Sequence, residues 1–193
     1  MGRGGCSAKK WYGPKGVGGR DVRRRGHQVR REPLVEGGGH EQGRRSGTLN
    51  APGIVGMGVA LGLAVEEMDD HRVRVGRLRD QLHEGIQDAL DRVQLNGPPL
   101  GEYRLPGNLN VSFLDVDGEA LMMSMRELAV ASGSACTSVD PEPSHVLRAM
   151  GLSDDETRAS LRFGLGRFTT AEEVEFAVEQ VSSAVGRLRR MRP

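Results

Sequence analysis

Apolar residues recur at steps of three or four positions through the middle of the chain. The repeating positions are Ile54, Met57, Leu61, Ala64 and Met68, followed by Val75, Leu78, Leu82, Ile86 and Leu90. This spacing places the side chains on one face of a helix. The pattern therefore predicts one long helix, kinked or broken between Asp69 and Gly76 and ended by the turn residues at 96–99.

Beyond residue 100, short apolar runs alternate with helical patterns. Strands are predicted at 108–114, 129–133 and 160–166, and helices at 117–128, 143–150 and from about residue 170 onward. The pairs Ser153 with Glu156 and Thr170 with Glu173 have the spacing of capping boxes, which mark helix starts. Alternating strands and helices predict an α/β domain over roughly residues 63–193.

Residues 1–50, which we call the basic front, differ from the rest of the chain. Glycines interrupt them, and neither a helical nor a strand-like spacing of apolar residues is sustained. They hold 12 Lys and Arg against 4 Asp and Glu, a balance of +8, whereas the remaining residues hold 15 against 22, a balance of −7. A basic front can bind nucleic acid phosphates, or it can supply loops that contact the phosphate of a small cofactor. Only two aromatic residues, Trp11 and Tyr12, are available for stacking on bases, so the sequence gives little support for a surface that binds single-stranded nucleic acid.

Composition narrows the class of protein further. The two cysteines, Cys6 and Cys136, do not make a disulfide framework, and no stretch approaches the roughly 20 apolar residues of a membrane span. We therefore expect a soluble, cytoplasmic protein that interacts with neither membrane nor nucleic acid. The histidines lack metal-ligand spacing, so no metal site is predicted.

Two candidate chemical groups lie in the second half of the chain. Cys136 is surrounded by small and hydroxylated residues at 131–138, a setting that suits either a reactive thiol or an incidental cysteine in a turn. Arg162 precedes a glycine turn on a predicted strand. An arginine at this position can hold a carboxylate through two parallel hydrogen bonds, although a solvated arginine on an edge strand is the more common case.

Two further candidates lie in the basic front. Residues 37–48 combine five glycines, two arginines and two hydroxyl groups, which suits anion binding and also suits a linker. Residues 7–16 contain Lys9 and Lys10 beside two aromatic residues and a Gly-Pro turn. A lysine amine there can serve as a nucleophile, and the alternative is a solvated basic loop.

Together, in this order and spacing, these segments resemble the C-terminal half of a cysteine desulfurase, a class V aminotransferase relative that supplies sulfur for iron-sulfur cluster assembly. The strongest matches are residues 37–48, 105–113, 131–138 with 142–144, and 161–170. The resemblance implies that residues 63–193 form the C-terminal small α/β domain of a fold-type I pyridoxal phosphate enzyme. Residues 1–62 would be a remnant of the large pyridoxal phosphate domain, with the lysine segment, the glycine-rich loop and the start of the long helix.

The resemblance also implies a role for four residues. Lys10 would hold pyridoxal 5′-phosphate covalently, and Thr48 would reach the cofactor phosphate of a partner subunit. Arg162 would bind the carboxylate of the substrate L-cysteine. Cys136 would attack the substrate sulfur, so that L-alanine is released and a Cys136 persulfide remains.

The implied partners follow from the same resemblance. They are a second copy in a homodimer or a complementing large-domain chain, and an iron-sulfur scaffold or another sulfur acceptor protein. An alternative function stays open at this point, namely a non-catalytic module that dimerises or accepts sulfur without functional cofactor binding. A nucleic-acid-binding protein is a third reading, which rests only on the charge of the basic front.

Overall fold

The computed structural model describes residues 3–22, 32–33, 35–132 and 143–191. The chain divides into two compact units, Met1–Met68 and Asp69–Pro193, which we call unit 1 and unit 2. Each unit is described by itself below.

Unit 1 begins with an antiparallel hairpin, although the sequence of the first 50 residues shows no strand period. Strand β1 (Arg3–Ser7) pairs with β2 (Gly18–Val22), and a 3-10 helix (Ala8–Trp11) lies between them. Gly18 is required at its position, because a Cβ there would lie 2.4 Å from the carbonyl oxygen of Cys6. Backbone hydrogen bonds hold the hairpin together, and the strands approach closely at Gly18. The hairpin therefore has no alternation of apolar residues from which it could be predicted.

The rest of unit 1 contains one short turn and one long helix. The short element α1 (His40–Gly43) includes two residues with left-handed dihedral angles, and α2 (Ala51–Glu66) follows it. Asn50 caps α2, because its Oδ1 accepts a hydrogen bond from the backbone N–H of Gly53 at 3.1 Å.

The predicted long helix is interrupted earlier than the sequence pattern indicated. Helix α2 ends at Glu66, and α3 (Met68–Ala89) begins two residues later, so the break lies at Glu67 rather than between Asp69 and Gly76. Helix α3 ends at Ala89, earlier than the predicted end at residues 96–99, because strand β3 (Val93–Leu95) lies between the helix and that turn. Among the described residues, no single helix is long and apolar enough to cross a membrane, and only α2 and α3 taken together as a bent pair meet that criterion.

Unit 2 is built on a four-stranded sheet with the order β3-β4-β6-β5. The other strands are β4 (Asn108–Phe113), β5 (Ala131–Ser132) and β6 (Ser160–Gly164), and every pairing is antiparallel. The mixed α/β class predicted from the sequence is confirmed. The antiparallel pairing is the detail that alternation of strands and helices did not reveal.

Besides α3, four helices in the described part of the chain accompany the sheet, and a capping interaction is present at the start of each. They are α4 (Gly118–Ser124), α5 (His145–Ala149), α6 (Asp154–Arg158) and α7 (Ala171–Met191). The predicted capping box of Ser153 and Glu156 is present at the start of α6. Thr170 and Glu173 exchange the corresponding hydrogen bonds before α7, at 3.0 and 3.2 Å. Helix α4 is shorter than the predicted 117–128, since it ends at Ser124.

The core of unit 2 lies between one face of the sheet and helices α3, α4 and α7. Its side chains with less than a tenth of their surface exposed are Leu78, Leu82, Ile86, Leu109, Val111, Phe113, Leu121, Met125, Leu161, Phe163, Val174, Ala177, Val181, Ala184 and Val185. Full burial of each large member contributes about 1.5–3 kcal/mol. The opposite face of the sheet is therefore free to carry polar side chains.

Candidate functional site

Lys10 lies on the 3-10 helix that joins β1 and β2. The segment is anchored at Ala8, which is wholly buried and whose backbone N–H donates to the carbonyl oxygen of Val17 at 3.0 Å. The backbone N–H of Gly13 donates in turn to the carbonyl oxygen of Ala8 at 2.9 Å. With its backbone held in this way, the segment leaves the side chains of Lys9 and Lys10 exposed.

Small residues on one side of α2 accommodate the lysine segment. A Cβ at Gly53 would lie 2.4 Å from Cγ2 of Val17, and a Cβ at Gly56 would lie 2.7 Å from Cγ of Pro14. These distances are below ordinary van der Waals contact, so any larger residue at either position would displace the segment. The glycines of α2 thus determine where the lysine segment lies within unit 1.

The glycine-rich loop has an unusual backbone. Glu41 and Gln42 have φ values of 52° and 60°, and Gly39 and Gly43 have φ values of 71° and 77°. Left-handed conformations at non-glycine residues cost of order 1–3 kcal/mol each and are concentrated at functional sites. Within the loop, the N–H groups of Gly43 and Arg44 donate to the carbonyl oxygens of Gly39 and Glu41 at 3.1 and 3.3 Å, so these groups stabilise the turn itself.

The loop is closed by contacts close to Thr48. The backbone N–H of Ser46 donates to the carbonyl oxygen of Val35 at 3.0 Å, and that of Gly47 donates to Nδ1 of His40 at 3.2 Å. Ser46 is buried, whereas Thr48 is exposed. Thr48 and Lys10 therefore both present side chains at the surface of unit 1.

The chemistry of these residues fits two parts of pyridoxal phosphate. An exposed lysine supplies the amine needed to attach the aldehyde, and the exposed Thr48 hydroxyl supplies a donor for a phosphate. The groups that would contact the pyridine ring belong to the large domain, by resemblance, and no described residue is assigned to them. The described residues thus fit part of a cofactor site.

Arg162 lies in the middle of β6, flanked by a residue on each neighbouring strand. In the register of the sheet it is directly opposite Asn110 on β4 and Ala131 on β5. Its neighbours in β6, Leu161 and Phe163, are buried in the core, and Arg162 itself is exposed. The side chain thus belongs to the outer face of the sheet, where no described residue forms an ion pair with it.

A buried polar network supports the same face beside Arg162. Asn96 is 3% exposed, and its Nδ2 donates to Oδ1 of Asn110 at 2.7 Å and to Oγ of Ser112 at 2.8 Å. Ser112 Oγ donates to the backbone carbonyl of Glu156 at 2.8 Å. Sequence reasoning missed Asn110. Its signal was the alternation within β4, where polar residues occupy every second position.

Cys136 lies in the segment 133–142, which is outside the described residues. Both ends of that segment are described. Strand β5 leads into it with Ala131 opposite Arg162, and Ser144 follows it as the cap of α5, accepting from the N–H of Leu147 at 3.5 Å. The pairing of β5 with β6 places Ala131, five residues before Cys136, directly opposite Arg162, although the two strands are far apart in sequence.

Three comparisons with known proteins show what the chain is similar to. The family model described as aminotransferase class-V matches residues 5–176. A protein of Anaeromyxobacter dehalogenans named cysteine desulfurase IscS is 56% identical over 187 residues, which cover 97% of this chain and 46% of that protein. The protein of the same name from Tolumonas auensis is 51% identical, with 97% and 45% covered.

A comparison with solved structures also finds a similar protein. A NifS-like protein matches with a TM-score of 0.79 and 33% identity, over 97% of this chain and 47% of that chain. The chain thus spans about half the length of the relatives it matches.

Proposed function

The chain belongs to the aminotransferase class-V family, and from this we propose that it is the C-terminal, sulfur-handling half of a cysteine desulfurase. The observation that carries the proposal is the pairing of β6 with β5, which brings Arg162 next to the strand that leads to Cys136. Both groups have the chemistry that the reaction needs, since one binds a carboxylate and the other is a sulfur nucleophile.

In the proposed reaction, Arg162 orients the substrate. Its guanidinium donates two parallel hydrogen bonds to the carboxylate of L-cysteine, which fixes the direction in which the substrate sulfur points. Lys10 would hold pyridoxal phosphate, and Thr48 would contact its phosphate. When bound, the cofactor supplies an electron sink that weakens the Cβ–S bond of cysteine.

Cys136 then receives the sulfur. Its thiolate attacks the substrate sulfur, and an S–S bond forms while the Cβ–S bond breaks. The electron pair of the broken bond stays with the substrate carbon, which takes up a proton to give L-alanine. The Cys136 persulfide passes its outer sulfur to an acceptor, for which an iron-sulfur scaffold protein is the proposed partner.

We also infer that the function requires the half of the relatives that this chain does not span, supplied by the same or by another polypeptide. Helix α2 supports this inference, because it is apolar on all sides and most of its large side chains are exposed. Val55, Val59 and Val65 are 66%, 59% and 62% exposed. A helix that is hydrophobic all round is normally buried.

The proposed assembly is a homodimer located in the cytoplasm, where both cysteines stay reduced. The partner subunit would approach the loop that contains Thr48. The strained dihedral angles of Glu41 and Gln42 in that loop are consistent with a binding role.

The proposal is tested by co-expressing the chain with the part of the Anaeromyxobacter dehalogenans relative that it does not span. With pyridoxal phosphate, L-cysteine and a thiol reductant, which reduces the persulfide, we expect alanine and sulfide in equal amounts. In a parallel reaction without the reductant, mass spectrometry should detect one extra sulfur on Cys136. Cys136→Ser should abolish the persulfide and Lys10→Ala the visible absorbance of the bound cofactor.

A second lysine and the other cysteine of the chain provide matched controls for that experiment. Lys9→Ala and Cys6→Ser should retain both signals, because each removes the same kind of side chain from an exposed position of unit 1. A complex in which Cys136→Ser still transfers sulfur at the original rate would contradict the proposal. Labelling of Cys136 by a persulfide donor, in a complex that binds no cofactor, would instead identify a sulfur-accepting module.

A further inference from the structure

The polar network beneath Arg162 fixes the orientation of one more side chain on the outer face of the sheet. The network begins at the backbone carbonyl of Glu156, which can only accept a hydrogen bond. Ser112 Oγ lies 2.8 Å from this oxygen, so its hydroxyl proton is donated there. Ser112 is wholly buried and has no alternative contact with solvent.

The direction of donation then passes to two amides in turn. Because the Ser112 proton is committed, its Oγ accepts from Asn96, which must therefore present Nδ2 at 2.8 Å. The same Nδ2 is 2.7 Å from the side chain of Asn110, which must present Oδ1. One carbonyl thus determines which end of each amide faces the next residue.

This leaves Nδ2 of Asn110 as a donor for which the described residues provide no acceptor. Asn110 is directly opposite Arg162 in the sheet, and opposite residues share a face with Cβ atoms about 5 Å apart. Arg162 likewise has no hydrogen-bonded acceptor among the described residues. Two adjacent groups that can only donate form a site for an anion with two oxygen atoms.

We propose that Asn110 is a second contact for the substrate carboxylate, with its Nδ2 donating to one carboxylate oxygen while Arg162 holds the group. This inference rests on the proposed function, which assigns the carboxylate to Arg162. Asn96 is a positioning residue, because it acts only by fixing the orientation of the Asn110 amide. The orientation would exclude ligands that present a donor in place of the carboxylate.

The test is an NMR titration of the whole chain with L-alanine, the product of the proposed reaction. The side-chain amide signal of Asn110 and the Nε–H signal of Arg162 should shift together and give one dissociation constant. L-Alaninamide, which lacks the carboxylate, should shift neither signal. An Arg162 signal that shifts while Asn110 stays unchanged would overturn the inference, and so would the absence of both shifts.

A pair of isosteric variants isolates the contribution of Asn110. Asn110→Asp keeps an oxygen for Asn96 to bind but replaces the free donor with a negative charge, so affinity should fall at least about tenfold. Asn108→Asp adds the same charge two residues away on β4, where Arg104 Nη1 lies 3.4 Å from the Oδ1 of residue 108 and offsets the charge, so affinity should fall by clearly less than for Asn110→Asp. Equal affinity of Asn110→Asp and the original chain would contradict the inference.

The outcome is separable from that of the proposed function. If sulfur transfer fails in the co-expressed complex but both signals shift with L-alanine, the carboxylate site stands and the desulfurase proposal fails. If sulfur transfer succeeds and Asn110→Asp leaves both affinity and KM for L-cysteine unchanged, the desulfurase proposal stands and the role of Asn110 is refuted.

Discussion

Units 1 and 2 bury their apolar residues to very different extents. In unit 2, strands β4 and β6 and helix α7 place Phe113, Leu161 and Val181 at 0% exposure. In unit 1, the apolar residues buried among those described are Ala8, Val17 and Ala60, all of them small or medium-sized. Helix α2 meanwhile exposes a row of valines and leucines.

The difference shows which part of the chain carries its own stability. Unit 2 has a closed core with a sheet on one side and helices on the other, which is the arrangement of an independently stable domain. Unit 1 positions the lysine segment against the glycines of α2 but leaves the rest of that helix uncovered. Unit 2, which carries the proposed substrate contact, and unit 1, which carries the proposed cofactor contacts, therefore differ in how much they depend on additional polypeptide.

The largest expected effect is a cavity in the core of unit 2. Phe113→Ala should lower the free energy of unfolding of unit 2 by about 3–5 kcal/mol. Val59→Ala on α2 should change stability by no more than about 0.5 kcal/mol, because its side chain is already in solvent. During urea denaturation, hydrogen exchange at β4 measures the first change and the fluorescence of Trp11 in unit 1 measures the second, and similar losses for the two variants would remove the distinction between the units.

A smaller effect is expected where unit 1 does pack closely. Gly53→Ala should destabilise unit 1 by about 1–3 kcal/mol, since its new Cβ overlaps the side chain of Val17. Gly58→Ala meets no atom within 4 Å and should stabilise α2 by about 0.5–1 kcal/mol. Trp11 is the chain's single tryptophan and lies in unit 1, so its fluorescence during denaturation reports this unit. Gly53→Ala unfolding later than the original chain would show that the lysine segment is not packed on α2.

The next effect concerns a helix start in unit 2. Ser153→Ala removes the hydroxyl that accepts from the backbone N–H of Glu156 and should cost about 1 kcal/mol. Ser183→Ala, at an exposed position within α7, is the control and should be close to neutral. The two unfolding midpoints in urea give the comparison. Equal midpoints would mean that the cap contributes nothing to the stability of unit 2.

The smallest effect is a pH dependence that arises at His83 in α3. Burial lowers the pKa of His83 below its ordinary value of 6.5, and the charge of Arg104 lowers it further. Well above pH 6.5 the imidazole is neutral in both the folded and the unfolded chain, so it has no effect on stability. As the pH falls below 6.5, the unfolded chain takes up the proton first, and the folded state loses stability.

His83→Gln should therefore reduce the loss of stability on acidification. The measurement is the free energy of unfolding of unit 2 between roughly pH 5 and 8, compared for the variant and the original chain. A steeper decline in the variant would contradict the direction assigned to this pKa.

The sequence predicted unit 2 better than unit 1 for a physical reason. Helix α7 and the box at Ser153 were predicted because a one-sided core imposes a period and capping residues have a fixed spacing. The hairpin of unit 1 was missed because it depends on backbone contacts such as the one at Gly18. The break at Glu67 was misplaced because the apolar period continues across it.

The candidate site, like the fold, could be predicted only in part from the sequence. The resemblance supplied Lys10, Thr48, Arg162 and Cys136, whose roles stay predictions. The alternation within β4 could have placed Asn110 on the polar face of the sheet, but its proposed role depends on strand register and on a chain of hydrogen bonds from Glu156, which local sequence does not specify.

The most direct measurement of the central claim is alanine formation from L-cysteine by the chain, with and without the part of the relatives that it does not span. Both preparations contain pyridoxal phosphate and a thiol reductant. We predict turnover only when both parts are present. Turnover should be lost when Val55, Val59 and Val65 are all changed to serine, because α2 would no longer bind the complementing part. Full turnover by this chain alone would contradict the account.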